Sequence, residues 1–198
     1  MRQLPTSIQK GRPMTDAPIT PPPFVLEPFD AASATFEEVI RIYLEVFGGE
    51  EEEIRAFITR YATTFPDWRG HVALVGEQVA GMGFGTRSLL GQWWHDKVAA
   101  QVGAEHSALQ DAWVLVDLAV RPAYQNQGIG AAIMNALLAS QPCPRALLST
   151  EVANSGARRL YTRNGWRLLL PDFVFIPGQQ PYVVMARAIN PEINPVPR

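Results

Sequence analysis

The hydrophobic pattern is densest between Ala112 and Ser140. Nine residues, AWVLVDLAV (112–120), are apolar apart from Asp117, a run that predicts a strand buried on both faces. Further on, Ile129, Ile133 and Leu137 recur at helical spacing with Met134 and Leu138 beside them, so a helix follows. Between the two lies Gln125-x-x-Gly128-x-Gly130, at the point where strand hands over to helix. The first N–H groups of a helix have no partner within it, and the helix dipole adds partial positive charge there. Glycines remove the Cβ atoms that would hold a pyrophosphate away. The stretch therefore reads as a diphosphate seat, although a tight strand-to-helix turn without a ligand has the same local pattern.

The flanking segments alternate in the same way. Phe24 to Phe29 predicts a first strand, and Thr35 with Glu38 forms a capping box ahead of a helix carrying Phe36, Val39, Ile40, Tyr43 and Phe47. Gly48-Gly49 ends that helix. Glu50 to Glu53 open a second, whose buried stripe is Ile54, Phe57, Ile58 and Tyr61. His71–Val75 and Val79–Thr86 read as a hairpin across Gly76-Glu77-Gln78. Gly81, Gly83 and Gly85 leave one face of the second strand bare, for a close approach or a bulge. Residues 87–111 are too many for a hairpin turn, and Leu90, Trp94 and Val98 predict a short helix within this insertion. Arg145–Thr150 is the strand that completes β-α-β with a parallel pair. Asn154 caps a helix bearing Ala157, Leu160 and Tyr161, Gly165 ends it, and Trp166–Phe175 and Tyr182–Ala188 are the last strands.

Composition narrows the function. Of 198 residues 47% are apolar and 18% charged, which suits one globular domain with a sizeable core. The proline-rich residues 1–23 and the tail 190–198 are expected to be flexible, with a single domain over 24–189. A formal net charge of −2 without a basic cluster argues against a nucleic-acid partner. The one cysteine, Cys143, reads as a loop thiol and excludes an intrachain disulfide, and His71, His95 and His106 are too scattered for a metal motif, so no metal is expected. No run approaches the roughly 20 apolar residues of a membrane span and no signal-peptide core is present. The expectation is a cytoplasmic protein with no membrane partner. Asp117 is the one charge in the buried strand, so it has an arginine partner, shifts its pKa or opens onto a polar cavity.

Val120-x-Pro122-x-Tyr124-Gln125-x-x-Gly128-Ile129-Gly130 resembles the signature of the GNAT superfamily of N-acetyltransferases. Asn154-x-x-Ala157-x-x-Leu160-Tyr161-x-x-x-Gly165-Trp166 resembles that family's second motif, in which Phe more often follows the glycine. The resemblance spans roughly residues 24 to 188. It implies the α/β (α+β) GNAT fold: a mixed, mostly antiparallel sheet of about 6–7 strands, splayed between two parallel central strands and flanked by about 4 helices. It implies acetyl-CoA as donor, with the N–H groups from Gln125 through Asn126, Gln127, Gly128, Ile129 and Gly130 to Ala131 on its pyrophosphate. The backbone of Leu118, Ala119 and Val120 would pair with the pantetheine arm, Asn154 would contact the cofactor, and Tyr161 would sit near its sulfur. Tyr161 then reads as general acid, the alternative being a packed aromatic on the helix's inner face. Asp117 and Glu151 are the candidate bases, a water chain being the third option. The family often places basic residues in the glycine loop, which here reads Gln-Asn-Gln, so phosphate contact would rest on backbone N–H groups. Trp93 and Trp94 are candidate walls of an acceptor pocket built by the two N-terminal helices, the insertion and the 176–181 loop. The reading is thus acetyl transfer to a primary amine, small molecule or peptide, in a ternary complex. The alternative is a CoA-binding or dimerisation module without turnover, and a homodimer is common among proteins with these motifs.

Overall fold

The computed structural model of the protein describes residues 23–189. The proline-rich leader, but for Pro23, and the tail lie outside the described residues. One seven-stranded sheet runs in the order β1-β2-β3-β4-β5-β7-β6. Its strands are β1 (Val25–Pro28), β2 (Arg69–Val75), β3 (Gln78–Ser88), β4 (Ala112–Val120), β5 (Arg145–Glu151), β6 (Arg167–Phe173) and β7 (Tyr182–Ala188). All pairs are antiparallel except β4 with β5. Among the described residues five α-helices flank the sheet: α1 (Phe36–Phe47), α2 (Glu51–Thr64), α3 (Trp93–Val102), α4 (Ile129–Ser140) and α5 (Ser155–Arg163). The fifth beyond the expected number is α3, the helix inside the 87–111 insertion.

Period-two alternation sorts the strands between two faces. Val72, Met82 and Phe84 join the core of α1 and α2, whereas Ala73, Trp113 and Leu148 join that of α4 and α5. Ala112, Leu147 and Val184 meet α3 in a third cluster on the α1/α2 face. The bare face of β3 is filled by the protein itself. A Cβ on Gly83 would lie 3.0 Å from Ile133 Cγ2 of α4, and one on Gly85 would lie 2.2 Å from the Val114 carbonyl and 2.4 Å from the Trp113 ring. The alternating glycines thus admit α4 and the Trp113 indole.

One local expectation gives way to tertiary contacts. Thr35 precedes α1 but makes no capping bond, and Glu38 does not reach back. Glu38 instead pairs with Arg41 on its own helix and accepts from Arg121 Nη2 at 2.9 Å, a residue just past β4. Charge-assisted bonds to two guanidinium groups outweigh one neutral cap. Cys143 lies in the loop between α4 and β5, as expected, and is buried against the α4 core, where Gln141 bonds both its N–H and its carbonyl.

Candidate active site

The parallel pair at the centre holds together only briefly. β4 and β5 are in register from Ala112↔Arg145 to Val114↔Leu147 and then part, so Leu115–Val120 carry backbone groups facing a gap. On its other side β4 stays paired with β3, but the register jumps from Phe84↔Asp117 to Gly85↔Leu115. Val116 is the extra residue of a β-bulge. A bulge resets the alternation of a strand. Trp113 and Leu115 point towards α4, Val114 and Val116 towards the α1/α2 face, and Asp117 follows Val116 onto that same face. Without the extra residue Asp117 would lie among the apolar side chains under α4. The bulge aims it elsewhere.

Asp117 opens onto a cavity of about 480 Å³, bounded by α1, α2, the start of α3, the splayed strands and the chain between β6 and β7. No arginine meets it: Oδ2 is sealed from solvent and takes no hydrogen bond among the described residues. Burial pushes its carboxyl up to about 8. Of the three outcomes open to a lone carboxylate in a buried strand, a raised pKa and a cavity both hold, and the arginine pair does not. The Tyr43 and Tyr61 phenols share the cavity, and both are held above their ordinary value, first by burial and then by the Asp117 charge. Glu151, the other candidate base, is exposed at the end of β5, accepts from Gln180 Nε2 at 3.1 Å and does not line the cavity.

Tyr161 sits on the inner face of α5, whose start is capped by Asn154 Oδ1 accepting from the Ala157 N–H at 3.0 Å. The ring packs edge-to-face on Trp166 at 5.9 Å, and its hydroxyl makes no hydrogen bond among the described residues yet is not sealed off. Burial, then the Asp117 charge, holds its phenol well above the usual range, so it stays protonated. Tyr161 is thus packed on the inner face of its helix, with its phenol proton retained and within electrostatic reach of Asp117. Asn154 is exposed and already engaged as a cap.

Beyond β4 the chain makes a single turn at Pro122–Tyr124 and reaches α4 through Gln125–Gly128. The Gln125 N–H donates to the Pro122 carbonyl at 3.3 Å, and its side chain donates to Val120 O at 3.0 Å. The Ala132 N–H is the first to bond within the α4 frame, to Gly128 O. The N–H groups from Asn126 to Ala131 are left without acceptors among the described residues, so Gln125 drops out of the expected set. Asn126 at φ +61° and Gly128 at φ +85° flank Gln127 and fold these amides into a concave nest, a shape suited to an anion. Gly128 is the α4 N-cap, offers no capping side chain, and a Cβ there would meet nothing within 4 Å. A diphosphate fits this seat. Arg121 is not free to join it, being paired with Glu38 at 2.9 Å and Glu45 at 3.4 Å.

Trp93 and Trp94 both line the cavity. Trp93 stays 55% exposed and stacks on Phe175 at 5.5 Å, whereas Trp94 Nε1 donates to Ser149 Oγ at 3.0 Å and ties α3 to β5. The remaining aromatic lining was not singled out in the sequence. Tyr43, Phe57 and Tyr61 read there as ordinary core stripes, and their aromatic character was the one signal that they border open space. No group of three or more His, Cys, Asp or Glu side chains is clustered to hold a metal among the described residues, and no helix there is long and apolar enough to cross a membrane.

The model of the acetyltransferase (GNAT) domain family matches residues 66–168, a little over half the chain. A GCN5-like protein acetyltransferase of Mycobacterium tuberculosis is 26% identical over 121 residues, which is 55% of this chain and 58% of that protein. The chain thus spans less than two thirds of that relative's length. Among solved structures, a GNAT acetyltransferase from Bacillus cereus superposes with a TM-score of 0.62 at 12% identity, over 83% of this chain and 96% of that one. The ribosomal-protein-S18-alanine N-acetyltransferase from Escherichia coli gives 0.59 at 15%, over 84% and 94%. A GNAT family acetyltransferase from Elizabethkingia anophelis with acetyl-CoA bound gives 0.54 at 14%, over 83% and 97%. These structural likenesses are of fold; together with the match of the family model to the strand, glycine turn and both motif helices, they identify the chain as a member of the GNAT acetyltransferase family.

Proposed function

We propose that this protein transfers the acetyl group of acetyl-CoA to a primary amine by direct attack within a ternary complex. One observation carries the reading. A buried carboxyl without a protein partner faces a cavity from the very stretch of β4 that has parted from β5, and the same strand runs on into the anion seat. Donor and acceptor would therefore meet across one strand.

The donor, when bound, supplies its acetyl group as a thioester; the chain's residues hold and move protons. The amides of Asn126 to Ala131 would hold the diphosphate, and the unpaired edge of Leu118–Val120 would pair with the pantetheine amides. An amine reaches the cavity as a cation and must lose a proton before it can attack. Asp117, its carboxyl pushed up to about 8 by burial, takes it. As the N–C bond forms and the C–S bond breaks, a backbone N–H near Val120 stabilises the charge on the carbonyl oxygen. Tyr161 donates its phenol proton to the departing sulfur, and the second amine proton, shed as the amide forms, restores that phenol.

The test is calorimetric titration of the full chain with acetyl-CoA, CoA and ATP, followed by an assay of thiol release with amines. Saturable binding of both CoA compounds, none of ATP, and amine-dependent thiol release are expected. Failure to bind CoA would overturn the donor assignment, and binding without release on any amine would overturn the reaction.

A further inference from the structure

The cavity before Asp117 is lined by a chemistry that selects its occupant. It is the space between two apolar clusters that fail to meet. One presents Tyr43, Phe57 and Tyr61 from α1 and α2, with neighbouring ring centroids 6.2 and 4.8 Å apart. The other presents Trp94, Phe175 and Tyr182, with Trp93 stacked on Phe175. Among the lining residues the charged ones are Asp117 within and the exposed Arg60, whose guanidinium lies 6.0 Å from the Tyr61 ring centroid.

One interior carboxyl can neutralise one cation. A polyamine would bring further ammonium groups for which the cavity holds no second carboxylate, its other polar lining, Gln92, Ser149, Gln179 and the tyrosine hydroxyls, being uncharged. Ring faces, by contrast, attract a single cation and stack on a flat apolar body. A volume of about 480 Å³ is that of a small-molecule site. Resting on the transfer reading above, we infer that the acceptor is a small arylalkyl monoamine, its one primary amine held at Asp117 and its ring received between the two aromatic clusters.

The experiment compares 2-phenylethylamine, spermidine and a short alanine peptide amide, each titrated calorimetrically into the full chain saturated with CoA and each assayed with acetyl-CoA. Phenylethylamine should bind saturably and show a kcat/KM about tenfold or more above the other two. Trp93→Ala, at a position 55% exposed, should raise the phenylethylamine KM about fivefold or more and leave the acetyl-CoA KM within about twofold. Preference for spermidine or the peptide, no binding of phenylethylamine, or a Trp93→Ala KM equal to that of the unaltered chain would overturn the inference. If phenylethylamine alone binds saturably and no amine is acetylated, the ligand class of the cavity stands and the transfer reading falls. If acetyl-CoA is consumed only with spermidine or the peptide, the acceptor class falls and the transfer reading stands.

Discussion

The seat proposed for the donor and the cavity proposed for the acceptor are built by different means. The seat is main chain: amides from Asn126 to Ala131, aligned by two residues at positive φ and by the start of α4. The cavity is side chains, gathered from three helices, two central strands and the β6–β7 connection. A main-chain seat depends on backbone geometry, so it needs a short contiguous pattern and tolerates change at most side chains. A side-chain cavity tolerates shifts of backbone but changes character with each residue. One fold can therefore keep one donor while its acceptor varies.

Substitutions can break this contrast, and the largest effect is expected where the two halves meet. Asp117→Asn should lower kcat by about 10²–10⁴ and remove the limb of the pH–kcat profile near pH 8, with the acetyl-CoA KM little changed. The same change should alter stability in the opposite sense. The native carboxyl holds its proton up to about pH 8 whereas the unfolded chain releases it near 4, so stability present at acid pH is lost as pH rises through that window. An amide at this position has no such proton to lose. The variant should therefore gain on the order of a few kcal/mol over the unaltered protein at pH 8 and almost nothing at pH 4. Thermal melts across pH measure this, and parallel curves for the two proteins would break the assignment of a buried, partnerless carboxyl.

Tyr161→Phe comes next. The ring's packing on Trp166 is kept and no protein hydrogen bond is lost, so melting should move by no more than about 2 °C while kcat falls about 10²-fold. Unchanged turnover would reduce Tyr161 to its packing role. Gly128→Ala tests the seat. An L-residue at φ +85° costs about 1 kcal/mol or more, and relaxing that strain tilts the amide nest, so the acetyl-CoA KM should rise several-fold at constant acceptor KM. The smallest effect is expected from Trp94→Phe, which keeps a ring in the cavity but deletes the bond to Ser149. A twofold to threefold rise in acceptor KM, about 0.5 kcal/mol, with donor KM constant is the expected result. If Gly128→Ala moved acceptor KM, or Trp94→Phe moved donor KM, the two halves would be less separate than their construction implies.

Legibility from sequence follows the same division. The strand 112–120, the glycine turn and the α4 stripe are contiguous, and local periodicity with backbone rules suffices to read them. The lone charge Asp117 stood out because a carboxylate in an apolar strand demands an explanation, but three explanations were open. The Val116 bulge chose among them, and its cause is the pairing of β4 with β3 across Gly85, a contact no local window contains. Glu38 misled for the converse reason: its spacing from Thr35 fits a cap, yet the decisive partner, Arg121, lies 83 residues further along the chain. Glu151 at a strand end was the second candidate base after Asp117, and the surroundings separate its exposed carboxylate from a carboxyl whose Oδ2 is sealed from solvent.

What the sequence determined by itself is what is set by neighbours along the chain: the order of elements, the parallel central pair and a turn whose amides are left over. What only tertiary structure decided is where side chains remote in sequence converge. The point at which β4 parts from β5, after Val114 and Leu147, the face on which Asp117 emerges, and the aromatic space between Tyr61 and Phe175 belong to that class. Backbone hydrogen bonding and hydrophobic period are short-range and repeat in sequence, whereas a cavity is the place where two packed clusters fall short of each other, a property of their shapes together.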